Sequence, residues 1–135
     1  MDEIEDIRRY YDTNAEDEEG RLRRHQLEFD LTWRLIERYV PPAAEMLELG
    51  CAAGGYTLPL ARRGHRITAV DISEVELQSC RRRLAEAGLS EQVRCIQADA
   101  RDLTVLGGAL FDAVLMMGPL YHLVLEFDRL LALRQ

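Results

Sequence analysis

Lysine is missing from this chain: all seventeen basic residues are arginine. The replacement runs through the whole sequence and no single site explains it, so it reads as a coding bias. Cysteine is also scarce. Cys51, Cys80 and Cys95 are odd in number and stand at no metal-ligand spacing. No metal is therefore expected, and a reduced cytoplasmic compartment is the default. No apolar run approaches the ~18 residues that cross a bilayer. Met1 is followed by Asp2, Glu3, Glu5 and Asp6, which is not the start of a signal peptide. A basic face is lacking as well. The formal net charge is −7, and residues 1–20 account for it, with nine acids against Arg8 and Arg9. From residue 21 onward fifteen arginines balance fifteen acids. Nucleic acid and membrane are thus excluded as expected partners. There is no internal repeat and no low-complexity tract.

What is present fits one domain of 135 residues. Ile4, Ile7, Tyr10 and Tyr11 form a helical stripe on a charged N-terminal segment, and Asp12-Thr13-Asn14 punctuates it. From Ala15 to Tyr39 the residues Leu22, Phe29, Trp33, Ile36 and Val40 mark an amphipathic helix. Leu27, Leu31 and Leu35 are expected to widen its stripe, Gly20 to weaken it and Pro41-Pro42 to end it. Residues 1–40 read as a helical cap segment and residues 41–135 as the main unit. There the period changes. Strands are expected at Met46–Leu49, Arg66–Val70, Val93–Ala98 and Phe111–Met116. Helices are expected over Gly55–Arg63, from Ser73 to about Ala87, and from Glu126. Ser73 and Glu76 have capping-box spacing. Strand alternating with helix predicts an α/β, Rossmann-like parallel sheet with right-handed crossovers.

The chemistry gathers at Glu45-Met46-Leu47-Glu48-Leu49-Gly50-Cys51-Ala52-Ala53-Gly54-Gly55, where an apolar run ends in an acid and opens into a small-residue loop. Gly50, Ala52 and Gly54 let a ligand approach the backbone. Asp71 lies twenty-one residues after Gly50, a distance that suits a carboxylate accepting from ribose hydroxyls. Asp99 ends the third strand, placed to accept from an adenine amino group beside the Ala100 amide. Gly50-x-Ala52-x-x-Gly55 is only a near match to the dinucleotide fingerprint. Three carboxylates at one sheet edge disfavour a phosphate and admit a ligand with a cationic end. Each acid has a plainer reading: Glu48 as a surface acid, Asp71 as a helix-leading acid, Asp99–Asp102 as a simple turn. Cys51 has no His or Cys partner at a useful spacing for nucleophilic work, and His25 and His65 read as structural.

Glu48-Leu49-Gly50-Cys51-Ala52-Ala53-Gly54, Val70-Asp71-Ile72-Ser73, Ala98-Asp99-Ala100-Arg101-Asp102-Leu103 and Phe111-Asp112-Ala113-Val114-Leu115 resemble, in order and spacing, the successive motifs of class I S-adenosylmethionine-dependent methyltransferases. Tyr10-Tyr11-Asp12 and Gly118-Pro119-Leu120-Tyr121-His122-Leu123 resemble the small-molecule branch of that family. The resemblance implies S-adenosyl-L-methionine as cofactor and in-line transfer of its methyl group to a small molecule. It implies that the loop from Gly50 to Gly54, with Cys51 and Ala52, cradles the methionine part. Asp71 would hold the ribose, Ile72 pack on adenine, and Asp99 with Ala100 read the adenine edge. Glu48 would order the loop. Tyr11 and Met116 join the cofactor-contacting set, Tyr11 either closing over the cofactor or simply packing. Tyr121 and His122, after the fourth strand, are the candidates for contact with the acceptor or for a base. The family favours Gly where this chain has Ala52.

The family sheet has seven strands, and the residues here supply four, expected in the order 3-2-1-4 with helices on both faces. The chain stops at Leu133-Arg134-Gln135 inside a helical pattern. The expectation is a chain truncated after the fourth strand, with Phe111, Val114, Leu115 and Met116 at an open edge. A partner chain or a homodimer would cover that edge. A non-catalytic module that binds S-adenosylmethionine or a partner protein is the alternative function.

Overall fold

Met46–Leu49 is apolar on both faces apart from Glu48, the pattern of a central parallel strand covered from two sides. A computed structural model, which describes residues 3–13 and 26–116, places it there. The elements are α1 (Glu3–Thr13), α2 (Gln26–Tyr39), β1 (Glu45–Leu49), α3 (Thr57–Arg62), β2 (Arg66–Asp71), α4 (Glu74–Glu86), β3 (Val93–Gln97) and β4 (Ala113–Met116). The four strands form one sheet in the order β3-β2-β1-β4. All three pairings are parallel, with Glu48 opposite Ala69 on one side and Leu115 on the other. The expected order and direction are therefore those observed. The helix expected from Glu126 lies outside the described residues.

The two faces bury different sets. Met46, Ile67 and Ala69 pack with Trp33 and Ile36 of α2, Leu60 and Ala61 of α3 and Leu77 of α4. On the opposite face Leu47, Leu49 and Val70 pack with Leu103 and, at the margin, Ile96, Leu106, Phe111 and Met116. The β3–β4 connector supplies much of that second cover, through a 3-10 turn at Thr104–Leu106. Asp112 anchors the start of β1. Its Oδ2 accepts from the Glu45 amide at 2.9 Å, and its own amide donates to the Glu45 carbonyl at 2.7 Å. His65 does similar work at the other flank, its buried Nδ1 accepting from the Ala44 amide at 3.0 Å.

Helix α2 corrects one expectation. Phe29, Trp33, Ile36 and Val40 do face the core, and Phe29 stacks between Trp33 and Tyr56 with ring centroids 6.0 and 5.0 Å away. Leu27, Leu31 and Leu35 do not widen that stripe; they are exposed. At about 100° per residue their row runs along the opposite side of the helix. The helix stops at Tyr39, ahead of Pro41, as its proline pair requires.

At β4, Val114 is 57 % exposed while Phe111, Leu115 and Met116 are half-buried. Among the described residues this strand has a neighbour on one side only.

The different burial of two leucines gives a direct check. Leu60 has no exposed surface, so Leu60→Ala should lower the unfolding free energy by about 2–5 kcal/mol. Leu35→Ala, on the exposed row, should change it by less than about 0.5 kcal/mol. Urea unfolding followed by circular dichroism measures both.

Candidate functional site

Where β1 ends, the backbone enters the left-handed region three times within five residues, at Gly50 (φ 81°), Ala52 (φ 49°) and Gly54 (φ 97°). The Gly50 and Cys51 amides both donate to the Val70 carbonyl, at 2.7 and 3.1 Å, which pulls the loop onto the end of β2. Ala52 is the one of the three that carries a side chain, at a cost of about 1–2 kcal/mol. That explains why a glycine suits this position better. Gly54 has a different reason. A Cβ there would meet Leu58 Cδ1 at 2.6 Å and Cys80 Sγ at 3.0 Å. Its missing side chain makes room for the chain's own packing, where the sequence suggested only room for a ligand. Arg83 completes the restraint, donating from α4 to the Ala53 carbonyl at 2.9 Å.

Two carboxylates flank this loop from below. Glu48 is buried in the middle of the sheet, and the Thr57 hydroxyl, in the first turn of α3, donates to its Oε1. Burial pushes the Glu48 carboxyl up to about 7, against the Thr57 hydrogen bond and with a smaller push from Asp71. Asp71 ends β2. Its Oδ2 accepts from the Ala52 amide at 2.8 Å and its Oδ1 from the Ser73 amide at 2.9 Å. Burial raises its carboxyl too, and the hydrogen bonds from Ser73 and Ala52 oppose that rise.

A third group of residues forms an apolar wall beside these acids. Ile72, Ala100 and Met116 come together from three separate loops and strands, and Ile4 and Ile7 of α1 pack on them. Asp99, at the end of the β3 run, is held by its near neighbour Arg101. The guanidinium contacts both carboxylate oxygens, with Nη2 2.7 Å from Oδ2, and the Arg101 amide reaches Oδ1 at 2.9 Å. The turn is real, and it also presents Asp99 at the sheet edge. An isolated bridge between Asp99 and Asp102 closes it.

Glu48, Gly50, Cys51, Ala52, Gly54, Asp71, Ile72, Asp99, Ala100 and Met116 are thus gathered at the carboxyl end of the sheet. Tyr11 belongs to α1, and its side chain lies outside the described residues, as do Tyr121 and His122. Cys51 is buried and its thiol is pushed up to about 11. A hydrogen bond from Cys80 favours the thiolate there, but burial and the charges of Glu48 and Asp71 outweigh it. Such a thiol is a poor nucleophile. Four partners escaped the sequence reading: Thr57, Arg83, Arg101 as the holder of Asp99, and Asp12, which meets Ser73 at the start of α4. Only Arg101 had a local signal, an Asx-type turn two residues long. The other three contacts depend on how the helices dock, whether the partners are nine residues apart, as Glu48 and Thr57 are, or thirty and sixty-one, as the other two pairs are.

A family model described as a methyltransferase domain matches residues 46–135. The chain is 36 % identical over 75 residues to a carboxy-S-adenosyl-L-methionine synthase of Cronobacter sakazakii, covering 53 % of this chain and 30 % of that protein. It is 39 % identical over 93 residues to a ubiquinone biosynthesis O-methyltransferase of Methylocella silvestris, covering 65 % of this chain and 34 % of that one. The chain therefore spans about a third of the length of these curated relatives. Among solved structures, magnesium protoporphyrin IX methyltransferase of Synechocystis, with S-adenosylmethionine bound, superposes with a TM-score of 0.75. That match covers 97 % of this chain and 69 % of the other at 19 % identity, which is a likeness of fold.

The state of Glu48 sets a pH signature. Its folded carboxyl titrates near 7 and its ordinary value is 4.5. Its contribution to stability is therefore complete below 4.5 and lost as pH rises through about 7. The unfolding free energy of wild type relative to Glu48→Gln should fall between about pH 5 and pH 8. Parallel curves for the two proteins across that range would contradict the assignment.

Proposed function

The chain belongs to the class I S-adenosylmethionine-dependent methyltransferase family, and from that membership we propose that it binds S-adenosyl-L-methionine at the carboxyl edge of its sheet and transfers the methyl group to a small-molecule acceptor. The observation that carries the reading is the pair of buried acids. Among the described residues neither Glu48 nor Asp71 has an ion-pair partner, and they lie on either side of a loop shaped for close backbone approach. A pyrophosphate would be repelled there. A ligand with a cationic sulfonium and ammonium end fits, so the donor set suits this cofactor.

S-adenosyl-L-methionine supplies a methyl group on a positively charged sulfur. The residues of this chain bind and align. Asp71, its oxygens already oriented by two amides, keeps lone pairs for the vicinal ribose hydroxyls. Ile72, Ala100 and Met116 offer an apolar wall for adenine, and Asp99 accepts from its amino group. The loop from Gly50 to Gly54 follows the methionine end, with Cys51 and Ala52 in its turn. Glu48 and Thr57 hold that turn in place. Tyr11 and the α1 segment close the adenosine side as part of a helical cap over residues 1–40, and residues 41–135 form the cofactor-binding unit. Displacement at the methyl group needs alignment and exclusion of water more than covalent help. Tyr121 and His122 are assigned to the acceptor side, where a base serves only an acceptor that must lose a proton. Three free thiols support a reducing, cytoplasmic setting. No helix among the described residues is long and apolar enough to cross a membrane.

A second reading is a module that binds S-adenosylmethionine without transferring its methyl group. Calorimetric titration with S-adenosylmethionine and S-adenosylhomocysteine tests both readings. Saturable binding is expected for each, weakened about tenfold or more in Asp71→Asn, the worth of one charge-assisted hydrogen bond. Absence of binding to either ligand overturns the cofactor assignment. Binding without turnover on any acceptor favours the module. Among the described residues β4 has a neighbour on one side only, and we propose a homodimer or a partner chain there, against the exposed Val114. Light scattering of the purified chain should then show a mass above that of the monomer, and a monodisperse monomer at high concentration would refute self-association.

A further inference from the structure

Ser73 is fully buried, and three of its hydrogen bonds serve three different purposes. Its amide donates to Asp71 Oδ1 at 2.9 Å. Its Oγ accepts from the Glu76 amide at 3.2 Å, which caps α4. Its hydroxyl hydrogen goes to Asp12 Oδ1, on α1 and sixty-one residues earlier in the chain. The same Asp12 oxygen accepts from the Val75 amide at 3.4 Å, so α1 is attached to the first turn of α4 at two points. The capping-box spacing of Ser73 and Glu76 predicted the second of these bonds and gave no hint of the third.

Helix α1 has another attachment, and it is apolar. Ile4 is buried, and with Ile7 it packs on Ile72, Ala100 and Met116. Three consecutive residues therefore divide the work. Asp71 takes the loop amide of Ala52, Ile72 carries the apolar face of α1, and Ser73 takes Asp12. Ser73 could cap α4 without Asp12, because the Glu76 amide already reaches its Oγ. The contact with Asp12 extends the cap to the Val75 amide and, beyond that, joins α1 to the start of α4. It also sets a second carboxylate near Asp71, which pushes the Asp71 carboxyl upward. An attachment that places like charges together is unfavourable on electrostatic grounds alone.

We propose that Asp12 is a positioning residue for cofactor binding: by holding the Ser73 hydroxyl it pins α1 across the adenosine end of the site and steadies the Ser73 amide that orients Asp71. The proposal rests on the assignment of Asp71 to the ribose made above. Ser73 is buried and Asp12 half-buried, so the Ser73 hydroxyl cannot exchange this bond for solvent while α1 stays docked. The apolar contacts of Ile4 and Ile7 set how near the helix lies, and Asp12 sets its register along α4.

The test combines hydrogen exchange of the α1 amides, read without ligand, with calorimetric titration by S-adenosylhomocysteine and by adenosine. Asp12→Ala should speed exchange in α1 and weaken both ligands by about tenfold, the loss of one charge-assisted hydrogen bond. Adenosine and S-adenosylhomocysteine should lose the same factor, since the pin acts at the end they share. Asp12→Asn keeps an acceptor and should restore both readouts to within about threefold of wild type. Ser73→Ala reads the contact from the other side, and adding it to Asp12→Ala should cost less affinity than adding it to wild type, because the shared contact is already lost. Unchanged α1 exchange and unchanged affinity in Asp12→Ala overturn the proposal, as do fully additive losses in the double variant or failure of Asp12→Asn to rescue. If wild type binds neither ligand, the assignment of the cofactor fails, and the exchange comparison of Asp12→Ala with Asp12→Asn still decides whether the pin exists.

Discussion

The carboxylate of Asp71 is the constraint on which the site depends. One oxygen holds the Ala52 amide and the other the Ser73 amide, so a single side chain joins the loop after β1 to the helix after β2. The parallel register makes this possible. Leu49 lies opposite Val70, which brings the last residue of one strand beside the last residues of the other. A slip of one residue would turn Glu48 and Asp71 to the wrong faces and leave the loop amides without acceptors. Register, loop conformation and the start of α4 therefore stand or fall together.

Burial of like charges is the cost of this arrangement. Glu48 and Asp71 are both raised by desolvation; the charge of Asp71 pushes Glu48 up further, and that of Asp12 does the same to Asp71. A single hydroxyl from Thr57 and two backbone amides compensate in part. Under the proposed assignment a cationic ligand relieves this imbalance, where a pyrophosphate would add to it.

Much of the fold could be read from local pattern. The switch from helical period to short β-branched runs placed all four strands, because a buried parallel strand needs an apolar run whatever surrounds it. Gly50, Asp71 and Asp99 could be located for the same reason: a strand end at a sheet edge is a local event. Thr57, Arg83 and Asp12 could not. Each meets its partner only after the helices are docked, and no spacing along the chain encodes a docking distance. Leu27, Leu31 and Leu35 failed for the opposite reason. Their residue type suggested burial, but a helix has one face toward the sheet, and Trp33 and Ile36 already occupied it.

From the sequence came a strand order, implied by the family resemblance, and, by local pattern alone, the element types, the glycine-rich turn and the acids at the strand ends. These local features follow from residue-level causes: apolar period, backbone freedom at Gly50, and charge at strand ends. Tertiary structure alone decided how the acids are held. It buried Glu48 against Thr57, set Asp99 in the grip of Arg101, gave Gly54 its need for emptiness through Leu58 and Cys80, and brought Asp12 of α1 to Ser73. Hydrogen bonds between distant elements depend on where helices pack, and packing is a property of the whole core.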